Sequence, residues 1–358
     1  MKFLIPTEPD DAESILVKLS LEERGHQVRL LFTADLPTRQ RNSVYINNGG
    51  YQWKSTDKYD TYSDHNYDVV WWKRPRKPYL HKDSVHPDDI KFVTQENILF
   101  YESIISNLAP NAWWINSKEA ASRASSKLLQ LNIARECGMT IPATLCSNDP
   151  KDIRQFLLKY EAEGVIYKPL CPAYWFEEED VKIAGASRLS FLELPDNKLL
   201  QLSPGIYQKE IRKHYDIKVT CFGDYLVAAK SHGVVTSRGE TSIEPHMLPL
   251  DLENRIRNFM RELGLVFACF EFIVTMDDQY VFLDVHEQGQ FLWIEKCNPG
   301  FRMLDIFTNF LLGKTRKFRW EPQHYQHGII DYMNDMDDMF LRNMRRHVEL
   351  NSPGRLQD

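Results

Sequence analysis

The chain has 358 residues, 43% of them hydrophobic, which is enough for two or three domains with cores of their own. Its formal net charge of −6 argues against a general nucleic-acid binder, while leaving room for a local basic patch. The six cysteines are scattered with no C-x-x-C pair, as suits reduced thiols in a cytoplasmic protein, and no apolar run approaches the ~20 residues of a membrane-spanning helix.

The opening MKFLIPTEPDD reads as a first strand over residues 2–6 rather than as a signal peptide. An amphipathic helix over residues 11–25 and a strand over 28–32 follow, and this β-α-β start predicts a parallel sheet. Residues 43–53 and 67–72 (YDVVWW) read as further strands. KRPRK at 73–77 follows the second of these; it reads as a solvated basic turn, or else turns Arg74 or Arg76 toward an anionic substrate, since loops at the carboxyl ends of parallel strands commonly hold ligands.

A long helix over 86–108 and a strand over 112–116 complete the first unit. Residues 117–137 read as one helix, N-capped by Ser117 and stopped by Gly138, and 149–160 as another. A strand over 164–169 carries Lys168 at its end. Residues 170–188 show no period and read as a mobile loop. A strand over 205–210, a hairpin of 217–222 with 226–231, and helices over 252–263 and 304–312 follow. The Met-rich tail holds a helix around 329–346 with an acidic start and a basic end. These breaks divide the chain into 1–116, 117–205, 206–318 and a helical tail, 319–358.

Residues 280–295, YVFLDVHEQGQFLWIE, carry the most chemistry. Alternation along a strand puts Asp284 and His286 on one face and Val281, Leu283 and Val285 on the other. Residues 268–274 (ACFEFIV) read as the partner strand, and a four-residue loop over 276–279 would set Glu271 opposite Asp284, ~5 Å away. A one-residue slip would turn Glu271 to the wrong face. Two carboxylates so placed suit Mg²⁺, and the imidazole suits Mn²⁺ or Zn²⁺ better. The competing reading is an edge strand with a solvated polar face.

Five stretches together resemble the ATP-grasp superfamily, and within it the graspetide synthetases, the microviridin-type ligases that macrocyclise ribosomal peptides. They are VVWWKRP (69–75), INSKEAASRASSKLLQLNIARECGMTIPAT (115–144), VIYKPL (165–170), YQKEIRKHYDIKVTCFGDYLVAA (207–229) and FLDVHEQGQFLWIE (282–295). The resemblance implies an α/β and α+β fold with a parallel-sheet pre-ATP-grasp domain and two lobes that clamp ATP with Mg²⁺ or Mn²⁺. It implies phosphate contacts from Lys127 and Lys168. It also implies an adenine slot at Lys209, Glu210 and Ile211, with Gln208 packed behind.

Asp216 and Lys218 stand where the family usually has Asp-x-Arg. Glu271, then Asp284 and His286, stand where it has Asp, then Glu-x-Asn as metal ligands. Arg238 is the arginine expected to enter the cleft. The implied activity joins Asp or Glu side chains of a leader-bearing ribosomal precursor peptide, through acyl phosphates, to hydroxyls or amines. Homodimers are common in the family. Two other readings share these residues: a ligase adding an amino acid to a protein or peptide, and a non-catalytic leader- or nucleotide-binding partner.

Overall fold

The structure, a computed structural model, describes residues 1–63, 66–170, 173–177, 180–231, 242–322, 327–348 and 350. The first elements in chain order are β1 (Lys2–Thr7), α1 (Ala12–Glu23), β2 (Gln27–Phe32), β3 (Arg41–Asn47), β4 (Gly50–Thr56), β5 (Thr61–Tyr62), β6 (Val69–Trp71), α2 (Ile90–Asn107) and β7 (Trp113–Ile115). The apolar runs 2–6, 28–32 and 67–72 do become parallel strands, in the sheet order β2-β1-β6-β7. Residues 43–53 are not one strand. They belong to a hairpin whose two-residue loop is Asn48-Gly49, a dipeptide strongly favoured in tight hairpins.

The middle of the chain contributes α3 (Lys118–Ala124), α4 (Lys127–Glu136), β8 (Thr144–Ser147), α5 (Pro150–Lys159), β9 (Val165–Lys168), β10 (Ala173–Glu177), β11 (Asp180–Ala184), β12 (Ser187–Leu189), α6 (Asn197–Leu202) and β13 (Gly205–Lys209). The single helix expected over 117–137 is broken at Ser125-Ser126. Ser117 caps α3 as expected, and the Ser126 hydroxyl accepts from the Leu129 amide to cap α4. Residues 170–188 hold strands rather than a loop without structure: β10 and β11 pair antiparallel, and β12 pairs with β9. The antiparallel sheet runs β12-β9-β13-β8.

The last elements are β14 (Lys213–Phe222), β15 (Tyr225–Ser231), β16 (Ile243–Pro245), α7 (Leu250–Leu263), β17 (Phe267–Thr275), β18 (Tyr280–His286), α8 (Leu292–Cys297), α9 (Met303–Gly313) and α10 (Met333–Arg346). Their antiparallel sheet runs β16-β15-β14-β17-β18. One core joins α3, α4 and α7 to this sheet; another joins its Phe222 and Phe267 to α9 and to Phe3, Ile5 and Trp71 of the N-terminal sheet. No described helix is long and apolar enough to cross a membrane.

Asn116, just past β7, locks the two sheets together. It is 1% exposed, and its amide uses its full hydrogen-bonding capacity. Nδ2 donates to the carbonyls of Phe267 and Glu287, each at 2.8 Å, and Oδ1 accepts from the amides of Val266 at 2.8 Å and Phe267 at 3.0 Å. Asn116→Ala leaves four backbone groups without partners, so we expect a loss of about 3 kcal/mol or more in urea unfolding. A change below about 1 kcal/mol would show that water replaces the amide there.

Candidate functional site

The candidate site lies on the face of β14, β17 and β18 that points away from α7. Along β14, Tyr215, Ile217, Val219 and Cys221 enter the core under α7. Asp216, Lys218 and Thr220 therefore take the opposite face. Lys218 lies opposite Glu271, and Glu271 opposite Asp284, so three strands bring one charge each to neighbouring positions.

The Glu271–Asp284 pairing forms as expected, but by another route. Val274 pairs with Tyr280 and Phe272 with Phe282, a register one residue off from a 276–279 loop. A bulge at Leu283 then restores the pairing. It also changes which residues enter the core: Val281 and Val285 are buried as expected, Phe282 joins them, and Leu283 is only half-buried. The strand is an edge strand, as in the competing reading. Its edge is covered, since Phe282 N donates to Thr140 O at 2.8 Å and buried Gln130 brackets Val285 through both backbone groups. The Gln130 bridge anchors the start of α4, where Lys127 sits.

Lys127 forms an ion pair with Asp284, and Lys218 with Glu271. His286 Nε2 stands 3.6 Å from Glu271 Oε1 and 3.9 Å from Asp284 Oδ2. Burial alone would raise the Glu271 carboxyl, but the His286 contact and the Lys218 ammonium outweigh it and pull the pKa down to about 2. Lys168 is half-buried, and burial lowers its pKa against the pull of Asp284 and Glu271. Among the described residues Lys168 has no ion-pair partner, so its ammonium lacks a contacting anion. Burial also raises Glu287, a carboxylate beside Lys127 and His286 that pattern reading passes over. No three metal-capable side chains among the described residues form a ready-made cage. Glu271, Asp284 and His286 share a face instead.

A cavity of about 600 Å³ opens over this face, lined by Lys218, Thr220, Glu271 and His286, by the loop 288–290, and by Lys73 and Arg74. Lys73 is the residue that motif reading missed. It is 1% exposed, and its ammonium pairs with Glu13 and donates to the carbonyls of Gln288 and Gly289. The signal was present in VVWWK, an apolar strand that runs straight into a lysine. The arginines of KRPRK do not form a plain solvated turn, and Arg74 is the one that also lines the cavity. Arg74 pairs with Glu8 and reaches Asp10 at 3.5 Å, and Arg76 also pairs with Glu8, so the turn is an ion-pair cluster.

The remaining residues named from the sequence are placed as follows. Gln208 is buried and donates to Thr144 at 3.1 Å. Lys209 pairs with Glu163 at 2.8 Å, and Glu210 with Arg188 at 3.1 Å. Their backbone amides donate to the carbonyls of Ala143 and Gly164, each at 2.9 Å. Ile211 follows half-buried in the link to β14. Asp216 shares the Lys218 face but pairs with Lys213 at 2.6 Å. Arg238 lies outside the described residues.

No family model matches the sequence, and neither does any curated protein sequence. Solved structures do match. The macrocyclase MdnC of Microcystis aeruginosa MRC, bound with precursor peptide MdnA, is 26% identical with a TM-score of 0.77, over 87% of this chain and 100% of that one. The RiPP-associated ATP-grasp ligase of Chryseobacterium gregarium, in complex with ADP and a leader and core peptide, is 21% identical with a TM-score of 0.75, over 89% of this chain and 99% of that one. The macrocyclase MdnB of Microcystis aeruginosa MRC is 23% identical with a TM-score of 0.74, over 87% of this chain and 98% of that one. The chain has the ATP-grasp fold. Among proteins with that fold it resembles the graspetide maturases.

The pKa of Glu271, about 2 against an ordinary 4.5, gives a stability test. A carboxylate depressed by folding stabilises the protein above its unfolded pKa and loses that contribution as pH falls through the folded value. We expect Glu271→Gln to flatten the fall in stability between about pH 4.5 and 2, by on the order of 1 kcal/mol after solvent screening. An unchanged acid limb in pH-dependent unfolding would mean that the Lys218–Glu271–His286 contacts do not persist in solution.

Proposed function

We propose that this protein is an ATP-dependent peptide ligase. It phosphorylates an Asp or Glu side chain of a ribosomal precursor peptide with the γ-phosphate of ATP. A Ser or Thr hydroxyl, or a Lys amine, then displaces phosphate from the acyl carbon and closes a macrolactone or macrolactam. ADP and phosphate are the other products. The observation that carries this reading is the likeness, at 26% identity over 87% of this chain, to a macrocyclase bound with its precursor peptide. The cluster of Lys127, Lys168 and Lys218 supports it, since lysines offset the charge that moves in phosphoryl transfer.

The roles follow from the chemistry of each group. Lys168, an ammonium with no anion in contact among the described residues, holds a nucleotide phosphate. Lys127 holds another from the start of α4. The link Lys209–Glu210–Ile211 offers backbone groups other than the engaged Lys209 and Glu210 amides to the adenine edge, with Gln208 buried behind it. Lys218, with Asp216 on the same face, orients the acyl phosphate, and Arg238 assists. The donor set fits a hard divalent cation: Glu271 and Asp284 supply two carboxylate oxygens, and His286 widens the choice from Mg²⁺ toward Mn²⁺. The ion, when bound, offsets phosphate charge. Units 1–116, 117–205, 206–318 and 319–358 serve as pre-ATP-grasp domain, two clamping lobes and tail.

A peptide, rather than nucleic acid or membrane, is the partner that a net charge of −6 supports. Free thiols such as Cys137, Cys221 and Cys269 support a reducing, cytoplasmic setting. A homodimer would use α2. Only Ile104 and Ile105 of that helix are buried, while Phe92, Leu99 and Phe100 are exposed on an isologous-capable face.

Incubation of the full chain with ATP, Mg²⁺ and a precursor peptide should remove one water from the peptide per link, read by mass spectrometry. Addition of an amino-acid mass would support terminal ligation instead, and no ATP turnover with either Mg²⁺ or Mn²⁺ a non-catalytic partner. Lys218→Ala should slow turnover on the order of a hundredfold while nucleotide affinity stays nearly constant. Equal losses in affinity and rate would remove Lys218 from the reacting centre. In size-exclusion chromatography with light scattering, Phe92→Glu/Leu99→Glu should convert a dimer to a monomer; a dimer that persists rules out the α2 face.

A further inference from the structure

A second cavity, of about 370 Å³, lies between β2 and α10. It shares no lining residue with the cavity over Glu271. β2 is the terminal strand of its sheet, so one of its edges has no strand partner among the described residues. Val28, Arg29, Leu30 and Phe32 all line the cavity. Residues of both parities do so, which means the strand presents its edge there and not one face. Lys18 Nζ donates to the Val28 carbonyl at 2.8 Å, a contact of the kind that a bare edge carbonyl requires.

The opposite wall is one face of α10. Met339, Arg342, Asn343 and Arg346 line the cavity at the spacing i, i+3, i+4, i+7. Asn343 is 8% exposed, and its Nδ2 has no hydrogen-bond partner among the described residues. A buried amide donor left so lacks an acceptor, and a peptide carbonyl or carboxylate in the groove would supply one. Arg342 and Arg346 pair with no carboxylate among the described residues. The Arg346 guanidinium lies 4.2 Å over the Tyr59 ring, and that of Arg29 lies 3.6 Å over Tyr62. The acids in the lining are already engaged: Glu22 holds Lys18, Asp57 accepts from the amides of Tyr59 and Asp60, and Asp60 accepts from the Tyr62 hydroxyl at 3.4 Å.

We infer that this groove docks an extended acidic peptide segment, added as a strand along the free edge of β2 with its carboxylates facing α10. The spacing fits. Arg342 and Arg346 are one turn apart, a rise of ~6 Å, and carboxylates at i and i+2 of a strand are ~6.7 Å apart. Edge strand beside helix is an established geometry for peptide capture, in which main-chain bonds give affinity and side-chain contacts give specificity. A small anion would use the arginines and leave the edge unused. The inference does not depend on the ligase reading, because docking requires no nucleotide.

The test uses the full-length protein without nucleotide and a fluorescein-labelled acetyl-(Val-Glu)₃-amide probe, read by fluorescence anisotropy. We expect saturable binding that weakens about tenfold in Arg342→Glu/Arg346→Glu, a pair of exposed positions that leaves the fold unaffected. Asn343→Ala, checked for native circular dichroism, should weaken it by about tenfold or less. Of two probes of equal charge, N-methylated at odd or at even positions, one should lose binding and the other keep it, because alternate amides face the strand. Three outcomes overturn the proposal: no binding at millimolar probe, equal binding of both methylated probes, or indifference to the arginine reversal. Displacement by inorganic phosphate as readily as by unlabelled peptide would assign the groove to a small anion and also overturn it.

Discussion

The ion pair of buried Lys73 with Glu13 is the constraint on which the site depends. An ammonium taken out of water is costly unless each of its three donors is met. Here one goes to Glu13, one to Gln288 O and one to Gly289 O. The second oxygen of Glu13 accepts from the amides of Phe291 and Leu292, at 2.7 and 2.8 Å, which are donors at the start of α8 that no helix carbonyl can satisfy. The N-terminal sheet and α1 thereby determine where the 287–292 segment runs. Gly289 completes the constraint. Its φ is +55, and a Cβ there would lie 2.6 Å from the Phe267 ring. His286 enters the cavity from a strand whose exit is held by another part of the chain.

Beside that fixed loop, the charges of the site are nearly balanced but not all paired. Lys127 and Lys218 each hold a carboxylate, while Lys168 stands close enough to feel both carboxylates and contacts neither. Such an arrangement tolerates a polyanion. In the proposed function, phosphate would take Lys168 and draw the other two lysines, leaving Glu271 and Asp284 to face a cation. Two ion pairs would become phosphate and cation contacts within one network, with no charge left buried alone.

Much of this was legible in the sequence because period-2 and period-3.6 patterns report which face is buried. The parallel start, the hairpin of β17 with β18 and the shared face of Asp216 with Lys218 all follow from alternation. What failed has local causes. The Asn48-Gly49 turn was lost inside an apparent strand, and the Ser126 cap inside an apparent helix. The Leu283 bulge is a one-residue irregularity that alternation cannot register, and here two deviations cancelled so that Glu271 still met Asp284. Lys73 shows a different limit. A lysine ending an apolar strand reads equally as a solvated terminus or a buried ion pair, and only the distant Glu13 decides between them.

The departures from the pattern that the family resemblance implies also make more sense as a set than singly. Glutamate for aspartate at 271 lengthens the side chain by one methylene, and lysine for arginine at 218 replaces a fork with a point charge. The longer acid is the one that reaches both Lys218 and His286. Across the strands the order is reversed: aspartate for glutamate at 284 shortens the acid, and Lys127, projecting from the first turn of α4, closes on it. Histidine for asparagine at 286 adds a ring that spans the two carboxylates, 3.6 Å from one and 3.9 Å from the other. Groups in one network are not independent. Restoring a single family residue, such as Arg at 218, would set a larger fork against an acid already extended to meet a shorter partner. Lys218, Glu271, Asp284 and His286 are therefore one connected set of contacts rather than four separate choices.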